Sequence, residues 1–329
     1  MKKTVISLGV AFFACLAVVG ILFAVRNHLC ENIYDQTAAE RWGVDGRNFV
    51  QMSAFVSESA GLNAYSVNEM RVSISNRLSE QSLDDGSGES FFDAYSAKTS
   101  VNISRDTKKA QATAYFTGGD FFRFHSLDII SGWYYNEYDL MDDCVLLNTY
   151  AAWQMFGGFD LTGKSLELDG YPCIVYGVFD DSDENIEGVP VVYANYSLLY
   201  KMGRENSPIT CYEAVIPEPV KNFAETLFSD SVTVSKNQCE IVRNTGRYSF
   251  KRAVSGIRGF LARTDKNSTV IYPAWENGAR RTETVSIILA FLILVFSVFP
   301  IGLFAFAVIL LYIKKGAIFG FVRERLRRR

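Results

Sequence analysis

Two uncharged apolar runs, residues 4–25 and 285–313, constrain this chain more than any other feature, and nothing between them sustains a comparable run. At about 1.5 Å per residue they extend roughly 33 and 43 Å as helices. The hydrocarbon core of a bilayer is about 30 Å thick, so the first just spans it and the second overshoots. A wholly water-soluble body is excluded. The sequence divides accordingly into a membrane anchor over 1–26, a linker over 27–48, a central domain over 49–283, a second membrane helix over 284–313 and a tail over 314–329.

Charge orients these parts. Lys2, Lys3 and Arg26 are the charges of the first segment, and Lys314, Lys315, Arg323, Arg325, Arg327, Arg328 and Arg329 face only Glu324 in the last. What remains for 27–283 is 23 bases against 35 acids. Basic flanks are retained in the cytoplasm, which predicts a membrane protein with both termini cytoplasmic and the acidic centre extracytoplasmic. An acidic exterior repels phosphates, so nucleic acid is not an expected partner. The first apolar run exceeds the core of a signal peptide and lacks a small-x-small site before Arg26, so we read it as an uncleaved anchor. Cys30, Cys144, Cys173, Cys211 and Cys239 fall outside the membrane in an odd number at irregular spacing, which is not a disulfide framework. Buried free thiols are the simpler reading, and Cys211 with Cys239 is the pair to examine if one bridge exists.

The centre reads as one mixed α/β body of the α+β class. Residues 49–56 alternate like a strand. Ser66 with Glu69 forms a capping box for a helix whose stripe is Val67, Met70, Ile74 and Leu78, ending near Leu83. After the polar loop 84–88, segments 94–104 and 109–116 read as paired strands. A short helix is expected over 120–130, stopped at Gly132, and a strand at 144–147 leads through the N-cap Asn148 to a helix ended by Gly157 and Gly158. Asp169-Gly170 between 165–168 and 171–179 is a hairpin signal. Strands at 189–193, 209–216 and 240–243, helices from Ser197 and over 220–228, and an amphipathic helix on Phe250, Val254, Ile257 and Leu261 complete the pattern.

Several motif-like features have plain explanations. Residues 158–165 satisfy G-x4-G-K-S, yet a P-loop leaves a strand and opens a helix, whereas here a helix precedes and a strand follows. The acidic run 180–187 places Ile186 and Val192 where a calcium loop needs glycine and glutamate. His28 and His125 lack ligands at metal spacing, and His125 sits among Phe121, Phe122 and Phe124, as a packed histidine would. Asp142 and Asp143 read as a solvated pair. Asn102, Asn195 and Asn267 begin sequons without meaning in a bacterial chain. No convergent acid, base, nucleophile or metal set emerges, so neither an enzyme nor a cofactor is expected. Tyr272 and Trp275 stand where aromatics anchor at a membrane interface, and Pro300 lies mid-span, where a kink is expected. The basic tail is topogenic, with anionic lipid or a cytoplasmic protein as open alternatives.

The segments Gly119-Asp-Phe-Phe122, 127–132, Cys144-Val-Leu-Leu-Asn148, Phe156-Gly157, Leu161-Thr-Gly163-Lys164 and Val175-Tyr-Gly177-Val178 resemble, in that order, the periplasmic core domain of MacB-type permeases of the FtsX-like class. Trp133 departs from the arginine usual after the glycine in that family, and only two membrane-length runs are present where the family has four. The resemblance implies an accessory or half-permease subunit whose exterior domain binds substrate or partner. Its implied partners are a separate ABC ATPase and a larger permease, or a second copy, in the bilayer. A stand-alone binding or sensing module is the alternative.

Overall fold

The computed structural model describes residues 2–31, 33–42, 48–83, 90–137, 139–181, 188–205, 207–261 and 270–327. The acidic stretch 182–187, the loop 84–88, Asn267, Arg328, Arg329 and the side chains of Lys314, Lys315, Arg323, Arg325 and Arg327 lie outside the described residues. The chain forms two compact units: Met1–Asn32, Tyr248–Arg263 and Arg280–Arg329 make one, and Ile33–Arg247 with Thr264–Ala279 make the other. The expected linker therefore belongs in part to the central domain, and the helix near Phe250 belongs with the apolar segments.

In chain order the elements are α1 (Lys2–Glu31), α2 (Ala38–Trp42), β1 (Phe49–Val56), α3 (Ala64–Glu80), β2 (Phe92–Arg105), β3 (Lys108–Gly119), α4 (Phe121–Phe124), β4 (Asp128–Gly132), β5 (Cys144–Asn148) and α5 (Thr149–Phe156). They continue with β6 (Ser165–Leu168), β7 (Tyr171–Asp180), β8 (Val191–Asn195), α6 (Leu198–Lys201), β9 (Cys211–Pro217), α7 (Phe223–Ser231), β10 (Cys239–Arg243), α8 (Phe250–Leu261) and α9 (Ala274–Arg327). The ten strands form one mixed sheet in the order β10-β1-β9-β2-β3-β8-β5-β7-β4, with β6 pairing β2 and β7 off that path. Ladders β3–β8 and β5–β7 are parallel and the others antiparallel. Hydrogen-bonded neighbours followed from β2 through β3, β8, β5, β7 and β6 return to β2, so six strands close on themselves, while β9, β1 and β10 form an open limb.

Strand alternation sorts side chains between two cores. Val50, Met52, Ala54 and Val56 of β1 meet the α3 stripe Val67, Met70, Ile74 and Leu78, and α7 adds Leu227 and Phe228. Each of these side chains larger than alanine contributes about 1.5–3 kcal/mol by leaving water. Phe55 points to the other face, among Tyr115, Phe121, Phe124, Tyr193 and Trp275.

Local chemistry fixes the ends. Asn63, not Ser66, caps α3, its side chain accepting from the Ser66 amide at 3.1 Å, because the helix begins three residues earlier than the capping-box pattern indicates. Asn148 caps α5 by accepting from the Ala151 amide at 2.9 Å, and Gly157 ends it at φ 75°. Asp169 and Gly170 both take positive φ, 48° and 84°, as a two-residue hairpin of the favoured twist requires. The helix expected over 120–130 is a single turn, α4, followed by a strand. Ile129 and Ile130 are β-branched and the segment ladders onto β7, which outweighs the helical spacing. Cys211 pairs with Phe55 on one side of β1 and Cys239 with Val56 on the other. Two inter-strand spacings of about 4.8 Å exceed the reach of a disulfide, and all six cysteines are free thiols.

In the other unit, α1 and α9 carry apolar segments of membrane-spanning length. The apolar side of α8 packs on α9: Ala253, Ile287 and Ala290 are buried together, with Phe250, Val254 and Ile257 beside them. Gly256 permits the approach, since a Cβ there would lie 2.9 Å from the Ile287 Cδ1. Pro300 lies inside α9, which stays helical on both sides of it.

Candidate functional site: a buried charge network

The register of the open limb assembles a polar layer beneath the aromatic core of the central domain. Ser53 on β1 stands opposite Glu213 on β9, and β1 is flanked on its other side by β10 and the residues that follow it. Ser53 Oγ donates to Glu213 Oε1 at 2.6 Å and accepts from Asn244 Nδ2 at 2.6 Å. The other Glu213 oxygen takes a short hydrogen bond from His125 Nε2, one residue beyond α4. His125 Nδ1 reaches Asp35 Oδ1 at 3.0 Å. Gln51 holds the same segment from below, donating to the Asp35 carbonyl at 2.7 Å and accepting from the Ala38 amide at 2.9 Å. Arg247 closes the layer with two bonds of 2.9 Å to Glu276 and one of 3.4 Å to Gln36.

Burial gives the network its weight. His125, Glu213, Arg247 and Glu276 are at most 4% exposed. Charges so far from water persist only when paired and hydrogen-bonded, as these are. Burial pulls the His125 pKa down, but the charge of Glu213 and hydrogen bonds to Asp35 and Glu213 outweigh it and raise it to about 9. The ring is thus an imidazolium at neutral pH, with both nitrogens donating. Since the folded pKa lies above the unfolded value near 6.5, this pairing contributes its full stability, about 3 kcal/mol, below pH 6.5 and loses it as the pH rises through 9. The thermal midpoint of the full-length protein in detergent should fall across that window, and His125→Gln should flatten the fall; an equal slope in the variant would refute this origin.

The network gathers the chain where it enters and leaves the central domain. Asp35 and Gln36 follow the boundary at Ile33, Arg247 precedes the one at Tyr248, and Glu276 precedes the one at Arg280. Three of the four crossings thus share one buried layer. Both imidazole nitrogens are spent as donors, leaving no lone pair for a metal. Among the described residues no group of three or more His, Cys, Asp or Glu side chains could hold a metal ion.

Trp275 is 8% exposed, its ring 4.4 Å from His125 and 5.5 Å from Phe121, because the first turn of α9 is part of the aromatic core. Tyr272 is half-buried, bonds Glu240 through its hydroxyl and meets Phe55 edge-on at 5.5 Å. The P-loop lookalike is a helix-to-strand turn whose amides are already used: Gly163 N donates to Val175 O at 2.8 Å and Lys164 N to Leu161 O at 2.9 Å. Asp142 is held by Lys201 and by Ser197 at 3.0 Å. Burial raises the Cys144 thiol to about 11 and Cys173 to about 12, which leaves both poor nucleophiles. His125 was legible as a packed residue, but not its carboxylate partners, which lie 90 and 88 positions away.

None of the curated proteins matches the chain. Similar solved structures include the extracellular domain of the noncanonic ABC-type transporter YknZ from Gram-positive bacteria, 16% identical with a TM-score of 0.41, over 59% of this chain and 100% of that one. The periplasmic region of MacB from Actinobacillus actinomycetemcomitans is 18% identical with a TM-score of 0.43, over 65% and 94%. A domain of a putative permease protein from Porphyromonas gingivalis is 14% identical with a TM-score of 0.35, over 59% and 88%. The sequence pattern of the MacB-like periplasmic core domain matches residues 4–234, well over half of the chain. The chain belongs to the MacB-like periplasmic core domain family.

Proposed function

We propose that this chain is an accessory or half-permease subunit of an ABC-type membrane transport or mechanotransmission complex, its central domain outside the cell membrane and both termini in the cytoplasm. Family membership carries the reading, and two helices of membrane-spanning length on either side of the domain support it. ATP hydrolysis then falls to a separate ATPase, and a larger permease or a second copy completes the membrane part. The domain engages substrate or partner, and the charge network binds its chain crossings into one layer, as a subunit that passes on a displacement requires. Pro300 is the soft point of the second span, and the basic residues Lys314 to Arg329 contact the cytoplasmic side. Crosslinking in the native membrane, gentle solubilisation and mass spectrometry test this. An ABC ATPase and a larger permease in stoichiometric amount are expected; recovery of the chain alone, or only with itself, would favour a stand-alone binding module.

A further inference from the structure

Beside β4 the central domain carries an open cavity of about 610 Å³ whose walls are aromatic. Phe122 and Tyr134 stack at 4.5 Å and 20°, and Trp133 lies 6.4 Å from Tyr176. Hydrogen bonds tie two of these residues to their neighbours. The Tyr134 hydroxyl donates to the Leu127 carbonyl at 2.6 Å and accepts from its amide at 3.0 Å, and the Trp133 amide donates to Tyr176 O at 3.2 Å. Trp133 is 65% exposed, a large indole facing water on the cavity wall. The rim is polar: Asp139, Asn136 and the Arg123–Asp120 pair, with 3.3 Å between its charges, also line the cavity.

From this combination we infer that the cavity binds a neutral saccharide. A pyranose presents a flat C–H face that packs on aromatic rings, and an equatorial belt of hydroxyls that both donate to carboxylates and accept from guanidinium and amide groups. A wholly apolar ligand would strand the rim charges, and an anion would meet two carboxylates. Trp133 is the wall on which the ring stacks, at the position where the resembling family has arginine. The inference stands independently of any transporter partner.

The test is calorimetric titration of the full-length protein in an amine-oxide detergent, which has no sugar headgroup, with the neutral trisaccharides triacetylchitotriose and cellotriose. Saturable binding of at least one is expected, weakened about tenfold or more by Trp133→Ala and partly kept by Trp133→Tyr. Trp153→Ala, which removes an equally exposed indole elsewhere, should leave it unchanged. Absence of saturable binding by both sugars, binding that survives Trp133→Ala, or binding of phenol in place of the sugars would overturn the assignment.

Discussion

Replacing Arg247 with alanine lowers the stability of the central domain by about 3–5 kcal/mol, because it takes the guanidinium from a glutamate that is fully buried. The loss comes less from the missing attraction than from the charge left behind. Arg247→Met with Glu276→Leu removes both charges and keeps the volume, so the double variant should recover most of what the single one loses. Urea unfolding of the full-length protein in detergent, followed by tryptophan fluorescence, measures both. A loss below about 1 kcal/mol in the single variant would mean that water reaches Glu276 and that the layer is not closed.

Gly132→Ala is the second large effect, and it arises from the backbone. Gly132 sits at φ 85°, and a Cβ there would lie 2.1 Å from the Tyr176 carbonyl oxygen, which belongs to the strand that β4 pairs with. Conformational strain of about 1–2 kcal/mol and an overpacking cost of about 1–3 kcal/mol act together. Gly61→Ala separates the two contributions: its φ is 66° with nothing within 4 Å of the added atom, so only the first applies. Equal losses at the two positions, measured by the same unfolding experiment, would show that β4 yields to the added methyl.

The legible parts of this chain were those set by neighbours in sequence. The β1 alternation, the Val67–Met70–Ile74–Leu78 stripe, the Asn148 cap and the Asp169-Gly170 turn each depend on a few consecutive residues, and each appears as read. The stretch after Phe124 failed because its helical spacing was real but weaker than a ladder to β7, some fifty residues away. The charge network was invisible for the same reason. Asp35, Glu213 and His125 carry no local pattern, and only the strand order brings them together. The place of Trp275 in the aromatic core was not legible, because an aromatic just before an apolar run has the same sequence signature whether it faces lipid headgroups or a protein core.

The closed circuit of six strands has a consequence for stiffness. Sliding any one of its strands breaks ladders on both sides, and the disturbance has to be accommodated around the whole ring. The limb of β9, β1 and β10 has no such return path, since β10 ends the sheet. The ring is therefore the rigid frame and the limb the compliant spring, with Glu213 carried on the limb strand β9 and His125 reaching it from the segment that follows the ring strand β3. Amide exchange should be slowest in β3, β8 and β5 and should quicken toward β10, dividing the sheet into a part that keeps its shape and a part that can yield under load.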